Sequence, residues 1–171
     1  FHYFFFETPE TLEEWVRESQ EYQARAMRTM AEAFRRDNRM VTFAIHHFID
    51  SFPSGWMKTI MDCERRPKLG YFAYRNALAP LLPNLRTDRH RVFAGEEIRL
   101  EAWICNDPNE VPADATIRYR FESQGKVLSS GESPASIEPN HATFQGHLAI
   151  TAPQVDDRET VTARLAVVDA S

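Results

Sequence analysis

Five positions carry the side chains from which chemistry could be built. His46 and His47 follow the apolar run Val41 to Ile45, Asp50 comes three residues later, and Trp56 sits in the loop after Pro53. Glu7 closes an aromatic segment, Phe1 to Phe6. Paired carboxylates hydrolyse glycosidic bonds, at ~5–5.5 Å for retention and ~6.5–9.5 Å for inversion. Glu7 and Asp50 both end extended segments, so both could face one mouth. The plainer reading makes Glu7 a helix N-terminal charge and Asp50 a loop cap. Trp56, and after it Phe52, could offer a ring to the C–H face of a sugar or plug a gap. Adjacent residues of a strand point to opposite faces, so His46 and His47 are not expected to share a metal. One of them fits a pocket wall, or a packed position with its imidazole satisfied. Asp62 and Glu64-Arg65-Arg66 read as turn and solvent.

Neither a metal nor a cofactor is expected. Cys63 and Cys105 cannot alone supply a zinc site or a disulfide framework. The sequence has no Gly-rich phosphate loop and no Gly-x-Ser-x-Gly elbow, and only six glycines. The formal charge of -5 argues against a nucleic-acid partner, which needs a basic stripe. No apolar run approaches the ~18 residues of a membrane span. The opening Phe1-His2-Tyr3 has no basic leader, and the chain reads as cut from something longer.

A length of 171 residues suits one large domain or two small ones. Residues 1–90 hold 13 basic and 12 acidic residues and 15 of the 20 aromatics, whereas residues 91–171 hold 7, 13 and 5. The acidity therefore sits in the second half. Pro80-Leu81-Leu82-Pro83-Asn84 reads as a helix stop, because proline lacks the amide donor, and the boundary is placed there.

In the first half, Thr8-Pro9 suits an N-cap and first helical position, and Thr11-Leu12-Glu13-Glu14 reads as a capping box one turn later. Leu12, Trp15, Val16, Ser19, Gln23, Met27, Met30 and Phe34 recur at helical spacing, predicting an amphipathic helix that ends near Arg35-Arg36. Its apolar stripe is expected to be core. Val41 to Ile45, β-rich and without alternation, reads as a parallel strand buried on both faces. A second helix is expected over about Lys68 to Ala79. Such a strand cannot stand alone, so its neighbours must lie upstream or in another chain.

The second half alternates as strands do: Glu97 to Cys105, Thr116 to Phe121, Lys126 to Ser130, Ala142 to Thr151 and Thr160 to Val168. Turn signals separate them, which predicts an immunoglobulin-like sandwich of five or six strands where about seven are usual.

The stretch from Phe43 to Pro80 resembles the end of the catalytic barrel in the family 2 glycoside hydrolases, the β-galactosidase, β-mannosidase and β-glucuronidase group. The resemblance rests on His46-His47-Phe48-Ile49-Asp50-Ser51-Phe52-Pro53, then Gly55-Trp56, Asp62-Cys63, Arg66-Pro67-Lys68, Tyr71 and Ala77-Leu78-Ala79-Pro80. Phe93-Ala94-Gly95-Glu96 and Trp103-Ile104-Cys105-Asn106-Asp107 resemble the opening of the immunoglobulin-like domain that follows. In the family pattern a Trp stands where His46 is, and Asn-Asp where Ile49-Asp50 is.

The resemblance implies an α+β chain in two parts. Residues 1–83 would be terminal βα units of a (β/α)8 barrel, and residues 84–171 an immunoglobulin-like antiparallel β-sandwich lacking its last strand. It implies the C-terminal portion of a hydrolase of β-linked sugars, its partners being a carbohydrate substrate and the remainder of the barrel. His46, Asp50 and Trp56 would bind substrate, with Glu7 a weak catalytic candidate and the family's glutamates mostly upstream. The sandwich would serve as a brace, contributing rigidity rather than sugar affinity; only Trp103 could offer sugar a large face, its alternative being to pack against the first half. The alternative is a non-catalytic carbohydrate-binding or protein-interaction module.

Overall fold

A computed structural model of the protein describes residues 9–53 and 59–168. Glu7 and Trp56 lie outside the described residues. The chain divides into two compact units, Phe1–Ala79 and Pro80–Ser171.

In the first unit, α1 runs from Leu12 to Arg36. Thr11 accepts from the Glu14 amide at 3.2 Å, and the Glu14 carboxylate reaches back to the Thr11 amide at 3.3 Å, so the capping box forms. Helix α2, Leu69–Ala77, packs along α1. The buried residues of α1 are Ser19, Gln23, Met27, Ala31 and Glu32. Gly70 permits the close approach, since a Cβ there would lie 3.1 Å from Gln23 Oε1. Arg35 closes the C-terminal end of α2, donating to the carbonyls of Ala77 and Ala79 at 2.8 and 2.7 Å.

The expected apolar core stripe of α1 is therefore only partly right. Leu12 is 70% exposed, and Val16 and Met30 are also exposed. One nine-residue helix covers one strip of a 25-residue partner, which leaves Leu12, Val16 and Met30 outside it.

A second expectation is corrected outright. Val41 to Ile45 forms no strand, and Val41 is 96% exposed. Among the described residues no neighbouring strand offers it a ladder, and a strand exists only by pairing. Phe43 instead packs its ring 5.1 Å from that of Phe34 and 6.4 Å from that of Tyr74. The only parallel pairing among the described residues is a single bridge, Ile49 to Met61. Among the described residues no βα barrel unit is formed.

The second unit is a two-sheet antiparallel sandwich. Its strands are β1 (Leu81–Arg86), β2 (Glu97–Asn106), β3 (Thr116–Ser123), β4 (Lys126–Pro134), β5 (His141–Thr151) and β6 (Val161–Val168). The sheets have the orders β1-β2-β5 and β4-β3-β6. Alternation places Leu100, Ala102 and Ile104 of β2 and Ile117 and Phe121 of β3 in the core. The Pro80–Asn84 stretch ends α2, but it also opens β1. Pro83 is tolerated there because β1 is an edge strand, where a missing amide costs the ladder least. Among the described residues, the edge of β6 away from β3 has no partner.

Asn106, buried at the end of β2, ties the loops of this unit together. Its Nδ2 donates to the carbonyls of Pro108, Glu110 and Glu138 at 3.1–3.2 Å. Two hydrogens thus serve three acceptors on two loops. Asn106→Ala should cost about 2–3 kcal/mol in urea unfolding, because buried carbonyls lose their donor. A loss below about 0.5 kcal/mol would mean that water replaces the amide there.

Candidate functional site

The segment after the first exposed run is built by backbone stitching. The Asp50 amide donates to the Met61 carbonyl, and the Met61 amide donates to the Phe48 carbonyl, both at 3.1 Å. The Lys68 amide donates to the Ile60 carbonyl at 2.9 Å. Three stretches far apart in sequence, 48–50, 60–62 and 67–68, are thereby brought together. Gln23 adds α1 to the assembly, its Nε2 donating to the Thr59 carbonyl at 2.8 Å.

A charged cluster fills the junction. Lys68 Nζ donates to Asp50 Oδ2 at 2.9 Å and to the Thr59 hydroxyl at 2.7 Å. The side chains of Asp50 and Lys68 are 7% and 14% exposed. Burial alone would push the Asp50 carboxyl up. The hydrogen bonds from Lys68 and Thr59 and the Lys68 charge outweigh it, holding Asp50 below its ordinary range. Lys68 occupies the N-cap of α2, where a cation opposes the helix dipole and its own side chain makes no capping bond. Asp50 offsets that misplaced charge.

Asp62, the nearest other carboxylate, is also occupied. It accepts from the Glu64 and Arg66 amides at 2.9 and 2.8 Å and from Arg66 Nε at 2.6 Å. Those bonds, the Arg66 backbone first, lower its pKa. Asp62 and the charges after it make the expected turn. Neither carboxylate is left as a general acid, which would need its pKa raised. What the cluster does is tie Asp50 and Thr59 together through Lys68.

The His46-His47 pair differs from the expectation of opposite faces. With no strand to alternate along, His47 takes a left-handed backbone (φ 62°), and the two rings stack at 3.8 Å on one side. Both residues are exposed, as is Phe52. Among the described residues no group of three or more His, Cys, Asp or Glu is placed to hold a metal ion. No helix among them is long and apolar enough to cross a membrane.

The sequence reading brought out Asp50 but missed its partners Lys68 and Thr59. The signal was present in Arg66-Pro67-Lys68, a lysine directly before a helix where an acceptor side chain is usual.

With both units described, the fold can be set beside known ones. It is similar to that of a β-D-mannosidase. The solved enzyme, from Dictyoglomus thermophilum, matches over 94% of this chain at 22% identity with a TM-score of 0.59. The chain spans 19% of that mannosidase's length. At this identity the likeness is one of fold. No family model matches the chain, and no curated protein matches it.

Proposed function

We propose that this chain is the C-terminal portion of a family 2-like glycoside hydrolase acting on β-linked sugars. Residues 1–83 would complete the catalytic barrel, and residues 84–171 would form an immunoglobulin-like brace. The observation that carries this reading is the exposed apolar run of the first unit. Val41 is 96% exposed, Phe52 68% and Phe48 54%, in a segment with the composition of a buried strand. Leu12, Val16 and Met30 of α1 add further uncovered surface. Large apolar side chains exposed repeatedly within one segment point to a surface that something else covers. The remainder of a barrel is the cover that the segment's composition suits. The β-D-mannosidase likeness, nearly all of this chain against about a fifth of a longer one, supports the same reading.

Within that frame His46 and Trp56 would line the sugar site at the barrel mouth, where barrel active sites are built. Asp50, its carboxylate committed to Lys68, would act by holding the loop that carries Trp56. Catalytic glutamates would be supplied upstream, with Glu7 the weak candidate from this chain.

The test is turnover of 4-nitrophenyl β-mannoside, β-galactoside and β-glucuronide. This chain alone should give none, since a barrel takes eight strands. The longer protein that contains it should hydrolyse at least one. In that protein His46→Trp should shift preference among the three by about tenfold, with thermal stability nearly unchanged. A longer protein inert on all three would sink the reading, and activity of this chain lost in Glu7→Gln would move catalysis into it.

A further inference from the structure

The outer face of sheet β1-β2-β5 carries a cluster that bracing does not require. On this face Asn84, the register partner of Trp103, is buried, as are Cys105 and Ala142. From Trp103 toward Glu101 three rings come together. Trp103 and Phe144 lie 5.1 Å apart at 52°, and Phe144 and His147 lie 5.1 Å apart at 73°. Phe144 is 41% exposed, His147 is exposed and Trp103 half-buried.

In a regular strand residues 144 and 147 would point to opposite faces. They share one because β5 bulges. Trp103 pairs with Phe144, Ala102 with Gly146 and Glu101 with His147, leaving Gln145 as the extra residue. Gly146 adopts φ +117°, a conformation that side chains rarely take, although a Cβ there would meet nothing within 4 Å. The glycine is needed for the bend rather than for space. Bulges commonly re-aim a side chain beside a site.

Polar groups rim the rings. Trp103 Nε1 donates to Glu101 Oε2 at 2.9 Å, and Arg86 Nη1 donates to Glu101 Oε1 at 2.7 Å. The indole bond first, and Arg86 after it, keep the Glu101 carboxyl below its ordinary range, so it stays an acceptor. Arg86 also donates to Asp88 at 2.8 and 3.0 Å. The indole is thus held in one orientation, and a carboxylate and a guanidinium stand at its edge.

We propose that Trp103, Phe144 and His147, rimmed by Glu101 and Arg86, form a platform that binds a neutral oligosaccharide. The C–H face of a pyranose packs on aromatic rings, and its paired hydroxyls match the two-pronged geometry of a carboxylate and a guanidinium. A polyanion does not fit, because two carboxylates flank one guanidinium and the surrounding half of the chain is acidic. A purely apolar partner would desolvate the fixed carboxylate and guanidinium without offering either a polar group. Rings tilted by 52° suit a single soluble chain rather than a flat polysaccharide surface. The platform does not depend on the barrel reading.

The test is titration of the full chain with mannohexaose and, separately, cellohexaose, followed by calorimetry and tryptophan fluorescence. Saturable binding of at least one is expected. Phe144→Ala and Trp103→Ala should each weaken it about tenfold or more, and Glu101→Gln severalfold. Phe144 is exposed enough for its replacement to leave the fold intact, which circular dichroism checks. Absence of saturable binding overturns the proposal. So does binding that both aromatic replacements leave unchanged, which would place the sugar elsewhere. Self-association of the sugar-free chain, lost in Phe144→Ala without any sugar binding, would assign the face to a second copy instead.

Discussion

Lys68→Met should destabilise the chain by about 3–5 kcal/mol, because it leaves the Asp50 carboxylate buried without its cation. The two side chains are 14% and 7% exposed, so solvent does little to screen them. Asp50→Asn should cost less, about 1–2 kcal/mol, since the amide oxygen still accepts from Lys68 Nζ. In the double variant no charge remains, and most of the Lys68→Met loss should be recovered. The difference between the single and double variants measures the pair directly.

The pH dependence has a definite sign. The folded protein holds Asp50 below its ordinary value of 3.8. Its contribution is therefore present in full above the unfolded value and lost as pH falls through the folded one. In Lys68→Met burial acts unopposed and the carboxyl rises, so the variant recovers relative to the parent chain as acid protonates it. The gap between the two urea midpoints should narrow from pH 7 toward pH 4. A gap below about 1 kcal/mol, unchanged with pH, would show the pair to be solvated like an ordinary surface pair.

What was legible in the sequence and what was not follows the range of the forces involved. The start and end of α1 could be read because Thr11, Glu14 and the terminal Arg35-Arg36 act within one turn of themselves. Strands β2 to β6 were readable because their alternation is local. Strand β1 was missed because two prolines bracket its start, and proline's edge-strand tolerance depends on which strand is at the edge. The Asp50–Lys68 pair spans eighteen positions along the chain, and nothing local announces it. The bulge left one mark, a lone glycine in an alternating strand, a usual sign of a bulge or a close approach. Val41 to Ile45 failed differently. Its composition was read correctly, but a strand also needs neighbours.

That mismatch can be turned into a measurement. Val41→Asp should leave the stability of this chain within about 0.5 kcal/mol of the unaltered one, because a residue 96% exposed loses no burial on replacement. In the longer protein the same change should cost about 3 kcal/mol or more and abolish glycoside hydrolysis, since it would place an unpaired carboxylate inside a parallel sheet covered on both faces. The contrast between settings carries the argument. An interaction module displaying Val41 to a partner would show the substitution as a loss of binding, with its own stability and that of any longer chain untouched. A segment that completes a barrel shows it as a loss of fold, seen only when the other strands are present. Equal and small effects in both proteins would mean that Val41 is solvent-facing by nature, and the barrel reading would fall with it.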